Sequence, residues 1–218
     1  MIVPTQSLWH TTPLFYVPHL LHTGAIFSAA ELLRRGLPVR PRPTAIHRKT
    51  KLGLADYVHL SPNSKTPLLA DKQAKGYPHV LLRFDRDAVL ELPGVALLRY
   101  NTKRWAHRDD FVPVTNTDEQ AKIWAEHERG KYPSLEILVP KCLALSDFQY
   151  ALITPTLDEA ALLQDVITAL NLAMPTISAS PLVFPVPNAS PNHDAIRAYF
   201  AECKSAGRVL DPPALAFD

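Results

Sequence analysis

The run Leu135-Glu136-Ile137-Leu138-Val139-Pro140 sets one carboxylate near the start of an apolar, strand-forming stretch. Burying an ionised carboxylate is costly unless it is paired or hydrogen-bonded. Two readings follow: an alternating edge strand with Glu136 turned to water, or a carboxylate kept out of water to stabilise positive charge that develops during a reaction. Upstream, the basic run His47-Arg48-Lys49-Thr50-Lys51 precedes Asp56-Tyr57-Val58-His59-Leu60-Ser61-Pro62. A guanidinium stays charged and can grip an oxyanion through two hydrogen bonds, whereas a lysine there would offer a point charge to a phosphate; the alternative is a solvated loop. Near the start, Trp9-His10-Thr11-Thr12 groups an imidazole with hydroxyls that can meet sugar hydroxyls without a full charge. The run Tyr100-Asn101-Thr102-Lys103-Arg104-Trp105, with Arg108 close behind, combines stacking surface with phosphate-binding charge of the kind that holds a nucleic-acid single strand.

Other chemistries are poorly served. The chain has no Gly-rich phosphate loop, no Gly-x-Ser-x-Gly elbow and no Cys/His couple, which argues against kinases, hydrolases and thiol enzymes. His19 and His22 are spaced as a metal pair but lack an acidic third ligand nearby, so no metal is expected. Cys142 and Cys203 fit reduced structural thiols. The formal net charge of +2 is too small to announce nucleic-acid binding by itself; basic residues cluster instead at Arg34, Arg35, Arg40, Arg42, Arg48, Lys49 and Lys51, and at Lys103, Arg104 and Arg108. No apolar run is long enough to span a bilayer and the N-terminus lacks a signal-peptide pattern, so no membrane association and a cytoplasmic location are expected.

The elements that must position these residues read as helices in the first third and short strands afterwards, an α+β fold on antiparallel sheets. Thr12 before Pro13 offers a helix start, with Pro18 as a second starting point and Gly24 as the stop. Ser28 and Glu31 form a capping-box pattern for a helix ending at Gly36. Residues 37–51, with Pro38, Pro41 and Pro43, read as a long loop. Strands are expected at 57–60, 79–84, 95–99, around Glu136 and at 150–154, and helices at 66–75, 87–92, 117–127 (Thr117 and Gln120 capping) and 156–171 (Thr156 and Glu159 capping). The stretch from Pro175 to Pro191 reads as a tether leading to a final helix at 193–206. The expected division is a domain over 1–172 and a Pro-rich linker with a helical extension over 173–218.

In order and spacing, the Trp9-His10-Thr11-Thr12, Gly24-x-Ile26-x-Ser28, Asp56-Tyr57-Val58 and Glu136-to-Pro140 segments resemble those of DarT-type ADP-ribosyltransferases. These transfer ADP-ribose from NAD to thymidine in single-stranded DNA, and the likeness spans roughly residues 8 to 154. The resemblance implies an ADP-ribosyltransferase-like fold, a split sheet of antiparallel strands flanked by helices. It implies Glu136 and Arg48 as catalytic residues, with His10, Thr11, Thr12, Gly24, Ser28 and Tyr57 facing NAD. Lys103, Arg104 and Arg108 would meet the nucleic acid, single-stranded DNA or RNA. The chain departs from the family after Val58, where His59-Leu60-Ser61-Pro62 replaces a proline- and aromatic-containing stretch, leaving Tyr57 to offer an aromatic face to nicotinamide. The family's setting implies a toxin restrained by a macrodomain-containing antitoxin. Set against this are transfer to RNA or protein, and a nucleic-acid-binding module without catalysis.

Overall fold

The computed structural model describes residues 6–38, 47, 49–100, 112–186 and 193–212. Arg48, Lys103, Arg104 and Arg108 lie outside the described residues. The chain divides into two compact units interleaved along the sequence: one of Met1–Leu8, Ile26–Asn63 and Asp85–Leu143, the other of Trp9–Ala25, Ser64–Phe84 and Ala144–Asp218. Among the described residues no helix is long and apolar enough to cross a membrane.

The first unit is built on a three-stranded antiparallel sheet of β3 (Tyr57–Leu60), β6 (Glu136–Pro140) and β5 (Ala96–Leu98), with β6 in the middle. Tyr57 pairs with Pro140, His59 with Leu138, Ala96 with Leu138 and Leu98 with Glu136. Because side chains alternate, this register puts Tyr57, His59, Glu136, Leu138, Ala96 and Leu98 on one face. Leu54, Ala96, Leu98 and Leu138 form a buried cluster there, with Tyr57 packed against it. Two helices brace the sheet. In α2 (Ala29–Arg34) the Ser28 side chain accepts from the Glu31 N–H, as the sequence predicts, but the Glu31 carboxylate turns to Arg34 and Arg35 instead of closing the box. In α5 (Thr117–Glu128) the cap is Asn116, whose side chain accepts from the Glu119 N–H, so the expected Thr117 and Gln120 pairing is displaced by one residue. Gln120 instead ties the helix to the β5 edge, its amide donating to the carbonyls of Val95 and Val114, 2.9 Å each. The shift arises because an asparagine is as good a cap as a threonine.

The second unit carries a four-stranded sheet in the order β1 (Ser7–Pro13), β4 (His79–Asp85), β8 (Tyr150–Thr154), β9 (Thr176–Ala179). β4 and β8 are antiparallel, while β8 and β9 are parallel, an exception to the expected antiparallel pairing. Its cause is the connection: α6 (Leu157–Ala169) is the helical crossover that a parallel pair requires. Thr156 and Glu159 close a full capping box at its start. The predicted helix start at Thr12 is overturned: β1 runs through Pro13, a 3-10 turn follows at Leu14–Tyr16, and α1 (Val17–Thr23) begins with Pro18 in its first turn. The final helix α7 (Asp194–Ala206) buries Ile196, Tyr199, Phe200 and Cys203, a stripe of helical period, and joins α6 through Lys204–Asp165 at 2.7 Å. Two further helices, α3 (Pro67–Ala74) and α4 (Arg86–Leu90), match the sequence reading within a few residues. The remaining strands, β2 (Ala25–Phe27) and β7 (Cys142–Ala144), pair with each other.

The stretch read as a tether holds β9 and then a 3-10 turn at Pro181–Val183. Phe184 is fully buried with Leu69, Leu81, Ala151 and Ile153. Gln73 clamps the segment beyond: its amide donates to the Val186 carbonyl and accepts from the Val186 N–H. Likewise, the expected loop over 37–51 meets helical backbone at His47 and residues 49–51. That turn ends at Gly53, whose φ of +70° favours a residue without Cβ, and the Leu54 N–H closes back on the Lys49 carbonyl at 2.7 Å.

Candidate active site

Glu136 opens the central strand β6, which rules out the reading of a solvated edge-strand carboxylate. Its side chain is 13 % exposed and stands on the sheet face that carries Leu98 and Leu138. His59, from the adjacent strand and diagonal to it, is 14 % exposed and places Nδ1 2.8 Å from Glu136 Oε2. Nε2 of the same ring faces the Leu54 carbonyl at 3.3 Å. Among the described residues the second carboxylate oxygen, Oε1, makes no hydrogen bond. The unit thus presents a carboxylate held at one oxygen and, among the described residues, unbonded at the other, beside apolar side chains that lower the local dielectric and raise the effect of its charge.

Two other shielded glutamates show why Glu136 stands apart. Glu31 neutralises Arg34 at 2.7 Å and Arg35 at 2.5 Å, and hydrogen bonding to Arg35 holds its carboxyl below the ordinary range. Glu159 is fully buried, but it completes the α6 capping box and meets His193 Nε2 at 3.1 Å. Both serve the fold at a helix start. Glu136 lies in a strand, where no cap needs it and the backbone is satisfied by neighbouring strands.

In the first unit, Tyr57 shares the face of Glu136 but sits at the far end of β6, opposite Pro140. Ser28 is buried as the α2 cap, and its N–H donates to the Lys141 carbonyl at 2.7 Å. The Lys141 N–H in turn donates to the Asp56 carbonyl at 2.7 Å, so the start of α2, the approach to β3 and the end of β6 are stitched together. Lys141 adopts φ +61° to do so, a left-handed conformation that disfavours most side chains. Asp56 also receives Arg34 at 2.9 Å. In the second unit, His10, Thr11 and Thr12 lie on β1, with Thr12 buried and the other two half-buried. Gly24 caps α1 in the left-handed conformation, and its carbonyl accepts from the Leu145 N–H at 2.8 Å.

In the sequence His59 stands out only as a departure from a family pattern. Its pairing with Glu136 is marked there by a weak signal: each of two short apolar strands holds one polar side chain, and on paired strands such residues seek each other. Among the described residues no group of three or more His, Cys, Asp or Glu side chains could hold a metal ion.

The sheets and helices make an α+β fold. DarT from Thermus sp. 2.9, in complex with ADP-ribosylated ssDNA, has this fold at a TM-score of 0.64 and 13% identity, over 84% of this chain and 98% of that one. Its complex with NAD+ matches at 0.60 and 14%, over 84% and 100% of the two chains. DarTG from Thermosipho africanus, in complex with ADP-ribose, matches at 0.61 and 16%, over 82% of this chain and 50% of that one. No family model and no curated protein matches the chain.

Proposed function

We propose that this chain is an NAD-dependent mono-ADP-ribosyltransferase, a pentosyl-transfer enzyme that moves ADP-ribose from NAD to a base in single-stranded DNA. The observation that carries the reading is Glu136: a shielded carboxylate that caps no helix, on the central strand of a fold shared with a protein solved with NAD+ and with ADP-ribosylated ssDNA. When the bond between the ribose C1′ and the nicotinamide nitrogen breaks, nicotinamide leaves with the electron pair and C1′ becomes oxocarbenium-like. Glu136, accepting from a ribose hydroxyl through its open oxygen, orients the sugar and stabilises that charge. A nucleophilic atom of the base then bonds to C1′ and loses its proton to solvent. Arg48 is assigned the guanidinium that grips the reacting group, and His10, Thr11, Thr12, Gly24, Ser28 and Tyr57 the NAD contacts. Lys103, Arg104 and Arg108 are assigned phosphates of the strand. The strand contacts rest on the basic and aromatic residues clustered over 100–108, and the other assignments rest on the sequence resemblance. So do a toxin's role and a partner antitoxin with a macrodomain.

The test incubates wild type and Glu136→Gln with labelled NAD and a mixed-sequence single strand, with RNA and protein acceptors alongside. Glu136→Gln keeps shape and deletes charge, so it should fold and bind NAD yet transfer at least ~10²-fold more slowly, the scale of losing one electrostatic stabiliser. Equal labelling by both proteins overturns the reading. Strand binding with no nicotinamide released by wild type would mark a binding module.

A further inference from the structure

We infer that His59 is a positioning residue for the proposed transfer, its Nδ1–H fixing the Glu136 carboxylate so that the open oxygen faces the reacting ribose. The inference rests on the reading of the chain as an ADP-ribosyltransferase, since without work for Glu136 the pair is a structural contact alone.

A glutamate has three side-chain torsions, and a carboxylate that wanders by an ångström loses much of its effect on a developing charge. His59 removes that freedom. At 2.8 Å its Nδ1 is at charge-assisted hydrogen-bond distance from Oε2, and both side chains are largely withdrawn from water, which strengthens the contact. Behind it, Nε2 lies 3.3 Å from the Leu54 carbonyl, which accepts from that nitrogen when the ring carries both protons. Leu54 is fully buried, and its own place is set by the helical turn that closes through its N–H onto Lys49. A run of contacts therefore leads from the turn that follows Arg48 in the sequence, through Leu54 and His59, to Glu136. The backbone register supports the same division of labour: His59 pairs with Leu138, so it reaches Glu136 diagonally and does not crowd the oxygen left open. At Glu31, by contrast, Arg34 takes one carboxylate oxygen and Arg35 the other, so both are claimed and the charge is neutralised. An imidazole donates one hydrogen bond to one oxygen and leaves the other for substrate.

The test compares steady-state kinetics of wild type, His59→Leu, His59→Asn, Glu136→Gln and the double variant His59→Leu/Glu136→Gln. Asn places an N–H close to the position of Nδ1, whereas Leu fills the volume without a donor. A positioning role predicts that His59→Leu lowers kcat by about 10- to 100-fold, the scale of misplacing a reacting group, with KM for NAD little changed. His59→Asn should recover most of that loss, and the double variant should turn over no more slowly than Glu136→Gln alone, because the two residues act as one. Should His59→Leu fail to fold, long-range proton–nitrogen NMR of the wild-type imidazoles decides the matter: the His59 signal, assigned by its loss in His59→Asn, should show a protonated Nδ1 at neutral pH. An unprotonated Nδ1 overturns the inference. Wild-type kcat in His59→Leu, with Glu136→Gln inactive, also overturns it and leaves the enzymatic reading standing. Equal losses in the Leu and Asn variants, tracking their melting temperatures, would reduce His59 to a structural residue. Full activity in Glu136→Gln would instead remove the enzymatic reading, and this inference with it.

Discussion

His19 is buried in α1 with Tyr16 edge-on at 5.5 Å, and neither ring nitrogen has a hydrogen-bond partner among the described residues. Burial lowers its pKa from 6.5; Asp211 pulls the other way and His22 adds to the lowering. The sign of the linkage is therefore fixed. Above about 6.5 the ring is neutral in both the folded and the unfolded chain, so it adds no pH dependence; below it the unfolded chain takes up a proton that the folded chain resists. Stability should fall as pH drops below about 6.5, and His19→Phe should flatten that decline in melting temperature relative to wild type. A variant that follows the wild-type curve at every pH would show that His19 is not held neutral. In the sequence the same residue is half of an incomplete metal pair. Period and spacing place it on a helix with His22, but whether its face is buried depends on which elements cover α1, a tertiary fact that local pattern does not carry.

At the scale of elements, the Pro-rich stretch shows where local pattern stops short. Five prolines between Pro175 and Pro191 exclude a helix and a central strand, yet none falls within β9, which lies at the sheet edge where proline-flanked segments are tolerated. Parallel pairing with β8 depends on the α6 crossover and is invisible in the segment's own residues. Helix ends are more legible because capping is chemistry between near neighbours: Ser28 and Thr156 cap where their spacing predicts, and the α5 cap falls one residue from its predicted place. Gln73 has no such signal. It belongs to the buried side of α3, and its two hydrogen bonds to Val186 imitate a strand pairing. Gln73→Ala leaves a backbone donor and acceptor of Val186 without their partner, so it should cost about 1–3 kcal/mol of unfolding free energy if they stay buried. Hydrogen exchange at the Val186 amide should accelerate well before the α6 amides do. Unchanged exchange at Val186 would mean that the buried Phe184 alone holds the segment.

For the whole molecule, the interleaving of the units explains what a linear reading can and cannot gather. The chain changes unit after Leu8, Ala25, Asn63, Phe84 and Leu143, so residues close in sequence are assigned to different units: Gly24 to the second, Ser28 to the first. Short motifs name the residue types, and the α+β class follows from the order of elements; the grouping of the strands into sheets and the position of β6 between β3 and β5 require the fold itself. Electrostatics at this scale is equally uneven. A net charge of +2 gives little general attraction to a polyanion, so any binding of a single strand must come from local clusters. If Lys103, Arg104 and Arg108 each neutralise one phosphate, they contribute about 2 to the slope of log affinity against log salt for a single strand. The triple alanine variant should therefore bind a labelled oligonucleotide with a slope shallower by that amount, while release of nicotinamide from NAD without DNA continues at the wild-type rate. An unchanged slope would remove these residues from the strand's path and move the search for phosphate contacts to Lys49 and Lys51.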